Sequence, residues 1–284
     1  MQTRTFVVDH PHLWLSLLIL MVMSGCSGQA PPADDPLAGL PALTIPWGLN
    51  DCDFGVILID VPATNVAHLV PAGFRVQSVA EVAIGGQTGQ PVPNPRNDGN
   101  LGLEIFRCGS GTGLPNETLD GVSYASIFVG VEPLAALRRD VSNHFVKLET
   151  LVPDDARREL LAAYGLPVVD GEASFALSSD VAGYVYQGDL DMNGTRYQFQ
   201  GTGVATLSAG SFAEFTQTPH GLAVWSVEYE LASGGGGAQS VTIPAGSMPA
   251  EILGAGTFYG GGFAGRGTFH SGMLELPAVP AMDA

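Results

Sequence analysis

The sequence predicts a mainly β (α+β) fold, a barrel-like or strongly curved antiparallel sheet with a few packed helices. Three observations predict it. The 284 residues include 38 Gly and 20 Pro, are 45% hydrophobic and only 14% charged. That composition is globular and rich in turns, unlike a disordered chain or a helical bundle. Beyond residue 45 most of the chain consists of short apolar or alternating runs separated by turn residues. One segment alone carries a full set of helix start and stop signals. A strand-rich chain with one good helix closes or curves its sheet and packs the helix on it.

The N-terminal 25 residues read as an export signal. Arg4 supplies a basic start, weakened by Asp9, and residues 13–23 (LWLSLLILMVM) form the apolar core. That core is shorter than the roughly 20 residues a membrane span needs. Ser24-Gly25-Cys26 follows at once, with Met23 ahead of it. Small residues ending at a cysteine resemble the lipobox of bacterial lipoproteins, in which the thiol is acylated and becomes the new terminus. Ser27, by the same resemblance, permits onward sorting to an outer membrane. Residues 26–45 are rich in Pro, Ala and Asp without periodicity and read as an acylated cysteine and flexible tether. Residues 46–284 then form a single β-rich domain. In an oxidising envelope its two cysteines, Cys52 and Cys108, form either one disulfide or two buried thiols.

Along the domain, residues 54–60 and 126–132 are apolar strand runs. Residues 183–190 and 195–201 form a hairpin, with Asn193-Gly194 supplying the positive φ of a tight turn. Residues 203–207, 222–231 and 267–276 add strands, and Gly234–Gly237 reads as a flexible surface loop. A helix near 154–164 has acids in its first turn and Gly165 as its stop. Shorter helices are expected at 63–70 and 134–139.

The formal net charge is −17, and Lys147 is the only lysine. Such a surface repels phosphate backbones, which excludes nucleic acid as a partner. It also gives no attraction to an anionic leaflet, so membrane attachment rests on a lipid anchor. The sequence indicates no cofactor and no particular protein partner.

Three segments together resemble a known family. They are residues 62–74, a short helix ending in a Val70-Pro71-Ala72-Gly73-Phe74 turn; residues 124–131; and residues 144–150, leading through the acidic-started helix to Tyr164-Gly165-Leu166-Pro167. In this order and spacing they look like the acetoacetate decarboxylase superfamily, whose β-barrel surrounds an apolar pocket. The resemblance covers roughly residues 55–175. It implies that a lysine pair should follow Pro167, one member forming a Schiff base with a substrate ketone. Val168-Val169 stand there instead. Pocket candidates on this resemblance are Glu104, Arg107, Lys147 and Tyr124. Glu104 and Arg107 are an odd number apart, so on one regular strand only one of them faces inward. Lys147 is expected to face solvent, because lysine is rarely buried unless paired.

Other patterns carry less. Asp189, Asp191 and Asn193 match the first half of a calcium loop, but Gln200 occupies the position where a bidentate Glu closes such a site. A polar hairpin turn is the expectation. The run from Gly260 to Gly265 spells G-x-G-x-x-G without the strand and helix a dinucleotide site needs. Gly121-Val122-Ser123 is half a nucleophile elbow. His144, His220 and His270 have no metal-ligand spacing. Tyr184, Tyr186, Tyr197, Phe199, Trp225 and Tyr229 alternate as strand residues do, lining either a core or a cavity.

The expectation is therefore a bacterial envelope lipoprotein, on the outer membrane if the cell has one, whose barrel binds a small apolar ligand without catalysis. An envelope enzyme of the same fold, acting on a carbonyl or carboxylate compound, is the alternative. A structural lipoprotein with a filled barrel is the third. Whether the barrel is hollow, and whether it holds an ionisable group, separates them.

Overall fold

The computed structural model describes residues 39–82, 98–112, 118–180, 183–205 and 209–280. The expected signal segment, Cys26 and most of the tether lie outside the described residues. Among the described residues twelve strands form one sheet system: β1 Leu43–Val61, β2 Phe74–Val76, β3 Gly99–Thr112, β4 Thr118–Pro133, β5 Asn143–Leu151, β6 Val168–Val169, β7 Gly171–Asp180, β8 Gly183–Met192, β9 Thr195–Ala205, β10 Ala209–Thr218, β11 Gly221–Ile243 and β12 Gly256–Leu276. The helices are α1 Ala63–Val66, continued by a 3₁₀ turn, α2 Asp155–Ala163 and α3 Met248–Leu253.

Seven strands close a barrel in the order β10-β5-β4-β3-β1-β12-β11, with β11 returning to β10. All its pairs are antiparallel except β10 with β5. β11 is long enough to serve two sheets. Its first half pairs with β10, and its second half pairs with β9, from which β8 and β7 extend. β7 contacts β1, β3 and β4, so this extension covers one side of the barrel wall.

That cover explains why the strands read as apolar runs rather than clean alternations. Along β1, Phe54, Val56 and Leu58 belong to the interior cluster, while Ile57, Ile59 and Val61 pack beneath the outer layer with Phe175, Tyr186, Leu190 and Phe199. Both faces of the wall are buried, so both alternating sets are apolar. The interior is packed with rings: Phe54 stacks on Phe106 at 5.5 Å and Phe263 at 5.8 Å, and Phe269 meets Phe106 edge-on at 5.0 Å. A third cluster, with Leu161, Tyr164, Trp225 and Leu274, seats α2 against one end of the barrel.

Three expectations need correction. Gly234–Gly237 is not a loop but lies within β11, facing Gly262–Gly265 of β12 across paired positions. A Cβ at Gly234 would stand 2.9 Å from the Phe263 ring, and one at Gly262 only 2.0 Å from the Val56 carbonyl oxygen. These glycines are the room that close strands and an inward ring require. Residues 134–139 form no helix; a turn closed by the Leu137 amide on the Leu134 carbonyl ends β4. So short a segment, without a cap, does not repay helix nucleation. β1 begins at Leu43, inside the stretch read as tether, because Leu43–Ile45 pair with Leu274–Leu276. The Asn193-Gly194 turn does join β8 to β9, with φ of 51° and 77°.

Cys52 and Cys108 sit at directly paired positions of β1 and β3 and are joined as a disulfide, 56 residues apart in sequence. Replacing both by serine is expected to lower stability by about 2–4 kcal/mol. A urea titration would show this as a lower midpoint with a steeper slope, because the chain without its cross-link unfolds to a more expanded ensemble.

Candidate functional site

Two strand pairs deliver charge into the ring-filled interior. Glu104 on β3 has the parity of Phe106 and points inward, opposite Ser126 of β4. Arg107, of the other parity, is exposed outside the barrel. On β5, Phe145 and Lys147 share the inward face, and Lys147 pairs across to Phe128. A β-bulge follows at once, where Phe128 and Ile127 pair with Lys147 and Glu149 and leave Leu148 over. Lys147 is therefore not the solvent-facing residue expected; it is buried, and it obeys the rule behind that expectation by being paired. Its Nζ lies 2.6 Å from Glu214 Oε2 on β10, and both side chains are at most 2% exposed. The ammonium also lies 4.5 Å from the ring centroids of both Tyr124 and Trp225. Two ring faces and a carboxylate are what a buried cation needs.

Glu104 completes the cluster. Its Oε1 accepts a hydrogen bond from the Ser126 hydroxyl at 2.6 Å, and its carboxyl hydrogen-bonds Glu214. Burial, and then the charge of Glu214, push Glu104 well above the ordinary carboxyl value of 4.5, outweighing Lys147 and Ser126. Two adjoining carboxyls facing one cation reach neutrality when one keeps its proton. Burial and the neighbouring Glu214 thus both favour the protonated form of Glu104.

Two voids flank this cluster. One, of about 50 Å³, lies among the interior rings with Glu104 in its wall. The other, of about 300 Å³, opens at the barrel end beneath α2. Ile45, Leu49, Leu160, Leu161 and Leu274 give it an apolar lining, and Trp47, Trp225 and Tyr124 an aromatic one. Asp154 and Arg157 stand at its helix side. The first turn of α2 is fixed there because Asp154 Oδ1 accepts the Arg157 amide at 2.7 Å. Trp47 and Trp225 meet edge to face at 5.7 Å. Tyr124 and Trp225 are thus shared, lining the larger cavity and contacting Lys147.

The remaining sequence candidates lie elsewhere. Asp191 accepts the Gly194 amide at 2.8 Å, and Asp189 pairs with Arg196, so these side chains serve the hairpin. Among the described residues no cluster of three or more His, Cys, Asp or Glu could hold a metal ion. Ser123 donates to the Ala173 carbonyl, and the Gly260–Gly265 run is strand. His144 is buried beside the Arg139 carbonyl, with its pKa lowered by that burial. Tyr186, Tyr197, Phe199, Trp225 and Tyr229 are buried; the side chain of Tyr184 lies outside the described residues. Glu214, Ser126 and Trp47 were missed. An acid inside the apolar run Phe212-Ala213-Glu214-Phe215 was the available signal.

No protein-family model matches the chain, and no curated protein matches it. Several solved structures are similar. The enduracididine biosynthesis enzyme MppR is 12% identical over 88% of this chain and 98% of its own, with a TM-score of 0.49. Acetoacetate decarboxylase from Legionella pneumophila is 11% identical over 90% and 93%, with a TM-score of 0.45. An acetoacetate decarboxylase-like enzyme from Sphingomonas wittichii is 12% identical over 89% and 99%, with a TM-score of 0.43. Identities this low leave the family unassigned.

Removing Lys147 leaves a buried carboxylate without its cation, so Lys147→Met is expected to cost about 3–5 kcal/mol. Adding Glu214→Leu should recover much of that loss, as measured by urea unfolding. The raised Glu104 gives stability that is complete below pH 4.5 and is lost as pH rises toward its folded value. Glu104→Gln, which keeps a neutral partner for Glu214, should flatten that decline. Unfolding the two proteins in parallel from pH 4 upward isolates the effect from Glu149, which burial also raises.

Proposed function

We propose that this chain is a membrane-tethered lipoprotein, acylated at Cys26, whose barrel domain binds a small, mostly apolar molecule without transforming it. The cavity of about 300 Å³ beneath α2 carries this reading. It stands at the lower end of small-molecule sites and has their character, an apolar and aromatic lining with few polar groups. At about 30 Å³ per water, it would hold a molecule of roughly ten heavy atoms. The signal-like segment and Cys26 support the tether, and the resemblance to the acetoacetate decarboxylase superfamily supports a pocket-bearing barrel.

Absence of catalysis is supported by what occupies the interior. A lysine that attacks a carbonyl must present a free amine. Lys147 instead meets a carboxylate and two ring faces, contacts made by a cation. The void beside Glu104, about 50 Å³, has room for one or two waters and no carbonyl substrate. The enzyme reading keeps one observation in its favour, a carboxyl group, Glu104, buried in the same cluster as Lys147. Borohydride treatment with pyruvate or acetone tests it, since a Schiff base would add mass at this single lysine.

Native mass spectrometry of the chain purified from a bacterial envelope, before and after denaturation, tests the carrier reading. A small molecule that leaves on denaturation is the expected result. An empty protein that also ignores a panel of apolar acids, esters and hydrocarbons would leave the structural role.

A further inference from the structure

The outer sheet carries a recess of its own, on the face turned away from the barrel wall. In β8 and β9 the alternate residues Tyr186, Tyr197 and Phe199 are buried against that wall, so Gln187, Gln198 and Gln200 point to solvent. Gln187 pairs directly with Gln200, Gln200 with Ser240 of β11, and Ser240 with Tyr259 of β12. Directly paired residues share a face, so these four form one row across four strands, about 14 Å long at ~4.8 Å per strand spacing. Tyr259 ends the row 78% exposed. With Val185, 56% exposed, it lines an open groove of about 350 Å³.

The groove wall holds no charged side chain, in a chain of 28 acidic and 11 basic residues. A charged ligand would meet no counter-ion there, and the net charge of −17 repels an anion. Large exposed apolar side chains are limited to Val185 and Tyr259, too little surface to hold a hydrocarbon in the open. A peptide cannot add as a strand, because β8, β9, β11 and β12 each have a partner on both sides. What remains is side-chain amides and hydroxyls, which both donate and accept. The neighbouring row uses up such groups: Gln198 donates to Asp189, and the Thr242 and Thr257 hydroxyls bond each other. In the row from Gln187 to Tyr259 no side chain has a hydrogen bond among the described residues.

We infer that this groove binds an extended, uncharged, β-linked oligosaccharide along the row from Gln187 to Tyr259. Sugar hydroxyls both donate and accept, as Gln187, Gln200 and Ser240 do. The C–H face of a pyranose ring is apolar and edged with partial positive charge, which the negative face of a tyrosine ring receives. A row running straight across neighbouring strands suits a ribbon-like β-linked chain and not a coiled α-linked one. The site shares no residue with the cavity beneath α2 and is independent of the carrier reading.

Isothermal titration calorimetry tests it on the full chain purified from a bacterial envelope, in a detergent without sugar headgroups. Three hexamers serve as probes: cellohexaose, maltohexaose and hexagalacturonate. Cellohexaose is expected to bind roughly tenfold more tightly than either of the others. Tyr259→Ala, at an exposed position, should weaken cellohexaose roughly tenfold, the cost of one aromatic anchor. Gln187→Ala and Gln200→Ala together should also weaken it while leaving the urea midpoint unchanged. Full binding by both variants would overturn the site. Equal binding of maltohexaose would overturn the extended shape, and tighter binding of hexagalacturonate would overturn neutrality. Silence from all three probes would overturn the inference whole, and would leave the ligand of the cavity beneath α2 to be settled by native mass spectrometry.

Discussion

A charge inside a barrel of phenylalanines has to be neutralised on the spot, and the arrangement around Lys147 follows from that constraint. One carboxylate, Glu214, balances it; a second, Glu104, is pushed by burial and by Glu214 toward its protonated form; two ring faces lie against the ammonium. Five strands contribute to this set: Glu104 from β3, Tyr124 and Ser126 from β4, Lys147 from β5, Glu214 from β10 and Trp225 from β11. A buried pair of this kind is weak evidence for stability, since an apolar replacement of equal volume often does as well. Its position is the more informative feature. β5 and β10 form the one parallel seam of the barrel, and the ion pair spans it.

Much of the fold was legible in the sequence, for identifiable reasons. The hairpin at Asn193-Gly194 and the helix from Asp155 are set by local chemistry, a positive φ and a side-chain cap, which do not depend on distant contacts. A barrel or a strongly curved sheet followed from the excess of strands over helices; closure itself is seen only in the return of β11 to β10. The glycine-rich run at Gly234–Gly237 misled because glycine marks flexible linkers and crowded strands alike. Only its partner across the sheet, itself glycine-rich, tells them apart.

The site was harder to read. The odd spacing of Glu104 and Arg107 did separate inside from outside, since β3 is regular there. Lys147 resisted the same argument. Val146 and Leu148, its neighbours, are apolar because the wall is buried on both faces, so alternation carried no sign of which set faced the barrel axis. The bulge after Lys147 adds a phase slip that no single strand announces. The cavity beneath α2 depends on segments as distant as Trp47 and Trp225, whose approach is a property of the closed ring.

The burial of Lys147 also decides how this protein meets amine-directed chemistry. With no other ε-amino group in the sequence, acylating reagents, aldehyde cross-linkers and lysine-cutting proteases find no lysine on the folded surface. Its one ε-amino group stays out of their reach until the barrel opens. When it does, one site per chain becomes reactive, so the extent of lysine modification counts the molecules that have unfolded.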